Sequence, residues 1–272
     1  MEYHLKSSLV LGVILVFVSA SLVVPVFHST VRALPSDQLV GYWKFDEGSG
    51  LVASDSSGNG NNGTLMNGAA WVTGISGGAL SFDGSNDYVR VLNVTDFNFN
   101  QPLTISAWLL LNDASSGGIV GQWGQGGLSG DAYMLSLSAG HLRGTLPIVG
   151  LYELDSVSTI GTDEWTHVVM VYNGSTLELY INGVLDASDS ISVGNVASSQ
   201  TVKFGLEDIM IQTHYLNGTI DEVSIYNRAL NATEIMEMYN DIIPEFPSLL
   251  IIPLFAMSTI VALVICKKSR LA

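Results

Sequence analysis

From Leu103 to Leu111 apolar side chains recur on every second residue: Leu103, Ile105, Ala107, Leu109 and Leu111 share one face, and Thr104, Ser106, Trp108 and Leu110 the other. That period belongs to a strand, and Trp108 and Leu110 mark its second face as partly buried. Comparable runs are Val40 to Phe45, Ala79 to Phe82, Tyr88 to Val91, Gly118 to Gln122, Tyr133 to Ser138, Val202 to Gly205 and Gly218 to Tyr226. Trp165 to Tyr172 and Leu177 to Asn182 flank Asn173-Gly174-Ser175, a hairpin signal. With 28 glycines and strands at this spacing, the chain reads as all-β, a two-sheet antiparallel sandwich, and not as α/β. One soluble helix is expected from about Ala232 to Asn240. Asn231 caps it, Glu234 returns the bond, and Ile235, Met238 and Tyr239 share a face.

The two ends differ from this middle. Leu9 to Phe27 is almost wholly apolar, preceded by Lys6 and followed by Val31-Arg32-Ala33, which predicts a signal peptide over 1–33 cleaved after Ala33. A permanent N-terminal anchor is the alternative, since the run is near the ~20 residues that span a bilayer. Phe246 to Cys266 is apolar or small throughout and is followed by Lys267, Lys268 and Arg270, the pattern of a C-terminal membrane helix with its basic end in the cytoplasm. The expected organisation is therefore 1–33, a domain over 34–241, and a tail over 242–272, with the domain on the outside of the cell.

Only Glu2 of the 25 acidic residues lies outside residues 34–245, whereas five of the ten basic ones do, so this middle carries 5 − 24 = −19. A surface this acidic repels phosphate backbones and argues against nucleic acid as a partner. It fits a saline exterior or bound divalent cations alike. Cys266 is the one cysteine, so no intramolecular disulfide can form and core packing, with or without metal, holds the domain. Asn-x-Ser/Thr sequons at Asn62, Asn93, Asn173, Asn217 and Asn231 all lie in the middle, which agrees with an external domain and possible glycosylation sites.

Tyr42-Trp43-Lys44-Phe45-Asp46-Glu47-Gly48, Asp55-Ser56-Ser57-Gly58-Asn59-Gly60 and Ala79-Leu80-Ser81-Phe82-Asp83-Gly84 resemble the opening of laminin-G-like, concanavalin A-like jelly-roll domains. Glu164-Trp165-Thr166-His167-Val168-Val169, Leu179-Tyr180-Ile181-Asn182-Gly183 and Gly218-Thr219-Ile220-Asp221-Glu222-Val223 follow in the same order as in that family. The resemblance runs from about Val40 to Tyr239. It implies a jelly roll and leaves function open, since the fold hosts binding modules, adhesion domains and hydrolases. Pro244-Glu245-Phe246-Pro247 ahead of the apolar span resembles an archaeal PEF-type C-terminal sorting signal, which implies processing by an archaeosortase-like enzyme; a plain tail anchor is the alternative. In related jelly rolls a structural calcium joins the first strand to the last, which implies Asp46 and Asp221 here, with Asp83 a third candidate.

Catalytic constellations are incomplete. Sandwich glycosidases carry Glu-x-Asp-x-x-Glu, and the nearest match is Glu153-Leu154-Asp155 with Ser158 in the third position. His141, His167 and His214 have no paired metal spacing, and His167 falls in a core strand pattern. The expectation is a non-catalytic, surface-anchored binding or adhesion module for a carbohydrate or an envelope protein. An envelope structural protein and a degenerate glycoside hydrolase are the alternatives. Gln122 and Trp123, in the glycine-rich stretch Gly121 to Gly127, are the expected ligand contacts; Trp43, Trp71, Trp108 and Trp165 are expected in the core.

Overall fold

The computed structural model describes residues 34–92, 95–97, 102–123, 133–148, 150–191, 201–209 and 212–242. The expected signal peptide, the sorting motif Pro244 to Pro247, the C-terminal apolar span and the sequon at Asn93 lie outside the described residues. The strands, in chain order, are β1 (Leu39–Trp43), β2 (Val52–Ala53), β3 (Gly63–Met66), β4 (Ala70–Thr73), β5 (Gly78–Asp83), β6 (Tyr88–Val91), β7 (Leu103–Asp113), β8 (Ser116–Gln122) and β9 (Tyr133–Ser138). They continue with β10 (His141–Ile148), β11 (Gly150–Thr159), β12 (Trp165–Tyr172), β13 (Thr176–Ile181), β14 (Val184–Ser190), β15 (Val202–Phe204), β16 (Leu206–Ile209), β17 (Gln212–Tyr215) and β18 (Asn217–Tyr226). The helix α1 (Ala232–Ile242) follows directly.

Two large antiparallel sheets form, as the jelly-roll expectation requires. Sheet A runs β14-β13-β12-β7-β18-β5-β4, with β1 also paired to β18, and sheet B runs β11-β10-β9-β8-β15-β6-β3-β2. Alternation divides each strand between an inner and an outer face. Ile105, Leu109, Val168, Met170, Leu179 and Ile225 from sheet A meet Val89, Val120, Leu135, Leu137, Leu142 and Phe204 from sheet B in one core. Where the layers come closest, Gly144 of β10 leaves room for Met170; a Cβ there would stand 3.0 Å from its sulfur. Trp43 packs edge-on against Phe204, ring centres 4.7 Å apart, and donates its Nε1–H to Asn61 O at 3.0 Å.

The outer face of sheet A is apolar as well, and α1 covers it. Val169, Val171, Tyr180 and Tyr226 form a second cluster with Leu230, Ile235 and Met238. The helix starts as its capping residues dictate: Asn231 Oδ1 accepts from Thr233 N (2.9 Å) and Glu234 N (3.1 Å), while Asn231 N donates to Glu234 Oε2 at 2.9 Å. Among the described residues no helix is long and apolar enough to cross a membrane.

Candidate functional site

The outer face of sheet B has a different character. Strand registers place Thr64, Arg90, Lys203, Gly121, Met134, Thr145 and Glu153 side by side across β3, β6, β15, β8, β9, β10 and β11. At ~4.8 Å per strand this row is about 29 Å long. A shorter row beside it holds Gly118, Ser136, Arg143 and Asp155. The hairpin β16–β17 crosses one end of this face: a Cβ on Gly118 would lie 2.1 Å from the carbonyl carbon of Leu206, so only glycine lets that backbone pass.

Charges concentrate here. Arg143 makes two bonds to Asp155 (2.6 and 2.9 Å) and a third to Glu153 at 2.8 Å, and these bonds hold the Asp155 carboxyl below the usual carboxylate range. Lys203 Nζ lies 3.1 Å from Asp208 Oδ2 on the hairpin, and His214 Nδ1 lies 2.8 Å from Glu207 Oε2. Three polar atoms on this side are shielded from solvent and have no hydrogen-bond partner: Arg90 Nε, Trp123 Nε1 and Ser136 Oγ. Such atoms cost about 1–3 kcal/mol each when left unmade, and the outer face of sheet A holds three as well, His167 Nδ1, Ser224 Oγ and Tyr226 OH.

The structure corrects how the expected ligand contacts sit. Gln122 turns inward opposite Tyr133 and Val202 and is fully buried. Trp123 is 2% exposed and belongs to neither apolar cluster; continued alternation from Gly121 puts it on the outer face. A ring so enclosed offers no open platform for stacking. The glycine-rich stretch suggested an exposed loop, but Trp123 follows β8 directly and is packed by it. Trp43 and Trp108 are buried as expected, while Trp71 and Trp165 are half-buried.

The expected calcium ligands do not form one site. Asp83 pairs with Asn217, whereas Asp221 lies four residues further along β18, about 13 Å at ~3.3 Å per residue, too far for a shared ion. Asp83 closes its own turn by accepting from Ser85 N at 2.8 Å. Asp46 and Asp221 do converge, on the loop 74–78. Asp221 Oδ2 accepts from Ile75 N (3.0 Å) and Ser76 N (3.2 Å), Asp221 Oδ1 from Glu222 N (2.7 Å), and Asp46 Oδ1 from Gly78 N (2.7 Å). Both Asp221 oxygens and Asp46 Oδ1 thus accept from backbone N–H groups. Among the described residues no group of three His, Cys, Asp or Glu side chains is placed to hold a metal. Asp221 and Asp46 act as loop clamps, and burial raises the Asp221 pKa to about 7.

A second polar cluster, invisible in the sequence, lies under α1. Ser106 Oγ and His167 Nε2 are 2.7 Å apart, and both line a cavity with Trp108, Glu222 and Met238 that has room for about one water. The pair imitates a nucleophile and its base. Burial, however, pushes the His167 pKa down to about 3, and Trp108 and Tyr239 pack against the ring. His167 sits fully buried in a core strand, enclosed by these rings beneath α1. Of the described sequon residues, Asn62, Asn173 and Asn231 are exposed and Asn217 is half-buried.

Residues 83–236, more than half of the chain, match the laminin G type family described as the concanavalin A-like lectin/glucanases superfamily, and the chain belongs to it. Comparison with curated proteins finds no match. Among solved structures, the chain is similar to the binding domain of Paraclostridial Mosquitocidal Protein 1 (21% identity, TM-score 0.62), the match covering 75% of this chain and 52% of that one. It thus spans about half the length of the toxin's binding domain. It is equally similar to domain 4 of AbnA, a GH43 extracellular arabinanase from Geobacillus stearothermophilus solved with arabinotriose (21% identity, TM-score 0.62, 75% of this chain and 98% of that domain). The binding domain of Botulinum neurotoxin DC in complex with SialylT matches at 14% identity and TM-score 0.61, covering 77% of this chain and 52% of that one. At these identities the likeness concerns the fold.

Proposed function

We propose that this chain is a non-catalytic binding module that takes a saccharide across the outer face of sheet B. The observation that carries the reading is the row of polar and charged side chains, Thr64, Arg90, Lys203, Thr145 and Glu153, that the strand registers place across this face. The similar folds agree: AbnA domain 4, nearly all of which aligns, was solved with arabinotriose, and the neurotoxin domain with SialylT. A hydrolytic role has little support. Arg143 holds the Asp155 carboxyl below the usual carboxylate range, opposite to what a general acid needs, and the third position is Ser158.

The apolar ends of the sequence support display of the module on the cell exterior, with the tail as membrane anchor or as substrate of a sorting enzyme. A glycan array probed with the full chain tests the binding reading. Selective retention of saccharides, weakened by Thr64→Ala, is expected. Retention of none would leave an envelope structural protein. Turnover of chromogenic glycosides that disappears in Glu153→Ala would instead make the chain a hydrolase.

A further inference from the structure

We infer that the saccharide carries a carboxylate, and that Arg90 with Lys203 forms the subsite that takes it. This inference rests on the binding reading above and concerns the chemistry of its ligand. Residues 34–245 hold 24 carboxylates and five cations, so a basic side chain here has many acidic partners to find. Arg143, Arg228 and Lys203 lie against Asp155, Glu234 and Asp208, and Lys44 lies over the Tyr42 ring at 5.5 Å. Arg90 differs. Among the described residues no carboxylate lies within ion-pair distance of its guanidinium, and its Nε is shielded without an acceptor.

Its neighbours sharpen the contrast. In register, Arg90 stands between Thr64 and Lys203, and two like charges directly opposite each other across a strand pair are destabilising. Arg90, Lys203 and Asp208 together carry +1, in a domain of −19. The surrounding negative charge does not cancel this at the site, because charges more than ~8–10 Å away are largely screened at ordinary ionic strength. A guanidinium is a planar fork that takes a carboxylate through two N–H groups, and it keeps its charge at any relevant pH. Two positive groups side by side suit a uronic or sialic acid, with its carboxylate on Arg90 and Lys203.

The test uses the full chain on an array of oligosaccharides carrying galacturonic, glucuronic or sialic acid, beside neutral and sulfated counterparts of matched size. Carboxylated glycans should bind best, less tightly as salt rises, and Arg90→Gln should weaken them by roughly tenfold or more, the value of a charge-assisted hydrogen bond. Arg90→Lys should restore part of that loss, with unfolding temperatures unchanged in both variants. Equal binding of carboxylated glycans by wild type and Arg90→Gln, or a preference for neutral or sulfated glycans, overturns the carboxylate subsite while leaving saccharide binding intact. Retention of no saccharide at all overturns both.

Discussion

The outer faces of the two sheets start from the same alternation and end as different surfaces. On sheet A the outward positions are Val169, Val171, Trp108 and Tyr226, and α1 closes over them; the Trp108 and Tyr239 rings stack with centres 5.6 Å apart. On sheet B the outward positions are Arg90, Lys203, Ser136, Arg143 and Glu153, and their charges meet a hairpin that carries Glu207 and Asp208. Burial of apolar area makes the first face part of the folded structure. The second is mainly polar and charged, with Met134, Ser136 and Thr145 buried on it.

That contrast can be broken by mutation. Trp108→Ala should destabilise the domain by about 3–5 kcal/mol, the range for truncating a buried Trp, as read by denaturant unfolding. A loss under 1 kcal/mol would mean that α1 does not cover this face in solution. A pH series probes the same face. The imidazole of His167 takes a proton near pH 6.5 when unfolded and only near 3 when folded. The unfolded chain therefore binds more protons across that window, and stability falls as pH drops from about 6.5 toward 3. His167→Gln should remove this acid limb and expose an opposite trend from Asp221. The folded state holds the Asp221 proton up to about pH 7, so stability falls as pH rises from ordinary carboxylate values to that point.

Changes on sheet B should be smaller. Arg143→Ala gives up partly exposed ion pairs and should cost under ~1 kcal/mol, and Arg90→Gln should stay within about 0.5 kcal/mol of wild type. Smallest of all is the expected effect of calcium over EDTA on the unfolding temperature, since both Asp221 oxygens and Asp46 Oδ1 accept from backbone N–H groups. A clear rise with calcium would restore the metal that the geometry argues against.

The core strands and the helix cap were legible because their signals are local. Leu103 to Leu111 announces both faces of β7 in nine residues, and Asn231 with Glu234 places the start of α1. Strands β10 and β14 were missed. His141–Ile148 contains Gly144 and Pro147, and Val184–Ser190 contains Asp186, Ser188, Asp189 and Ser190, residues that read as loop until their partners are known. Asp83 stood as a third candidate beside Asp46 and Asp221, and the β5–β18 register separates it from the other two. The Arg90–Lys203 pair had no local signal, because β6 and β15 are more than a hundred residues apart in the chain. Trp123 had one that misled, since the glycines around it suggested exposure.

Hydrogen–deuterium exchange of the full chain, with and without the tightest-binding acidic oligosaccharide, tests most directly which face receives the ligand. The account predicts slowed exchange in β6, β8, β9 and β15, with β7, β18 and α1 unchanged. Protection confined to α1 and the strands beneath it would contradict the assignment and place the ligand on sheet A.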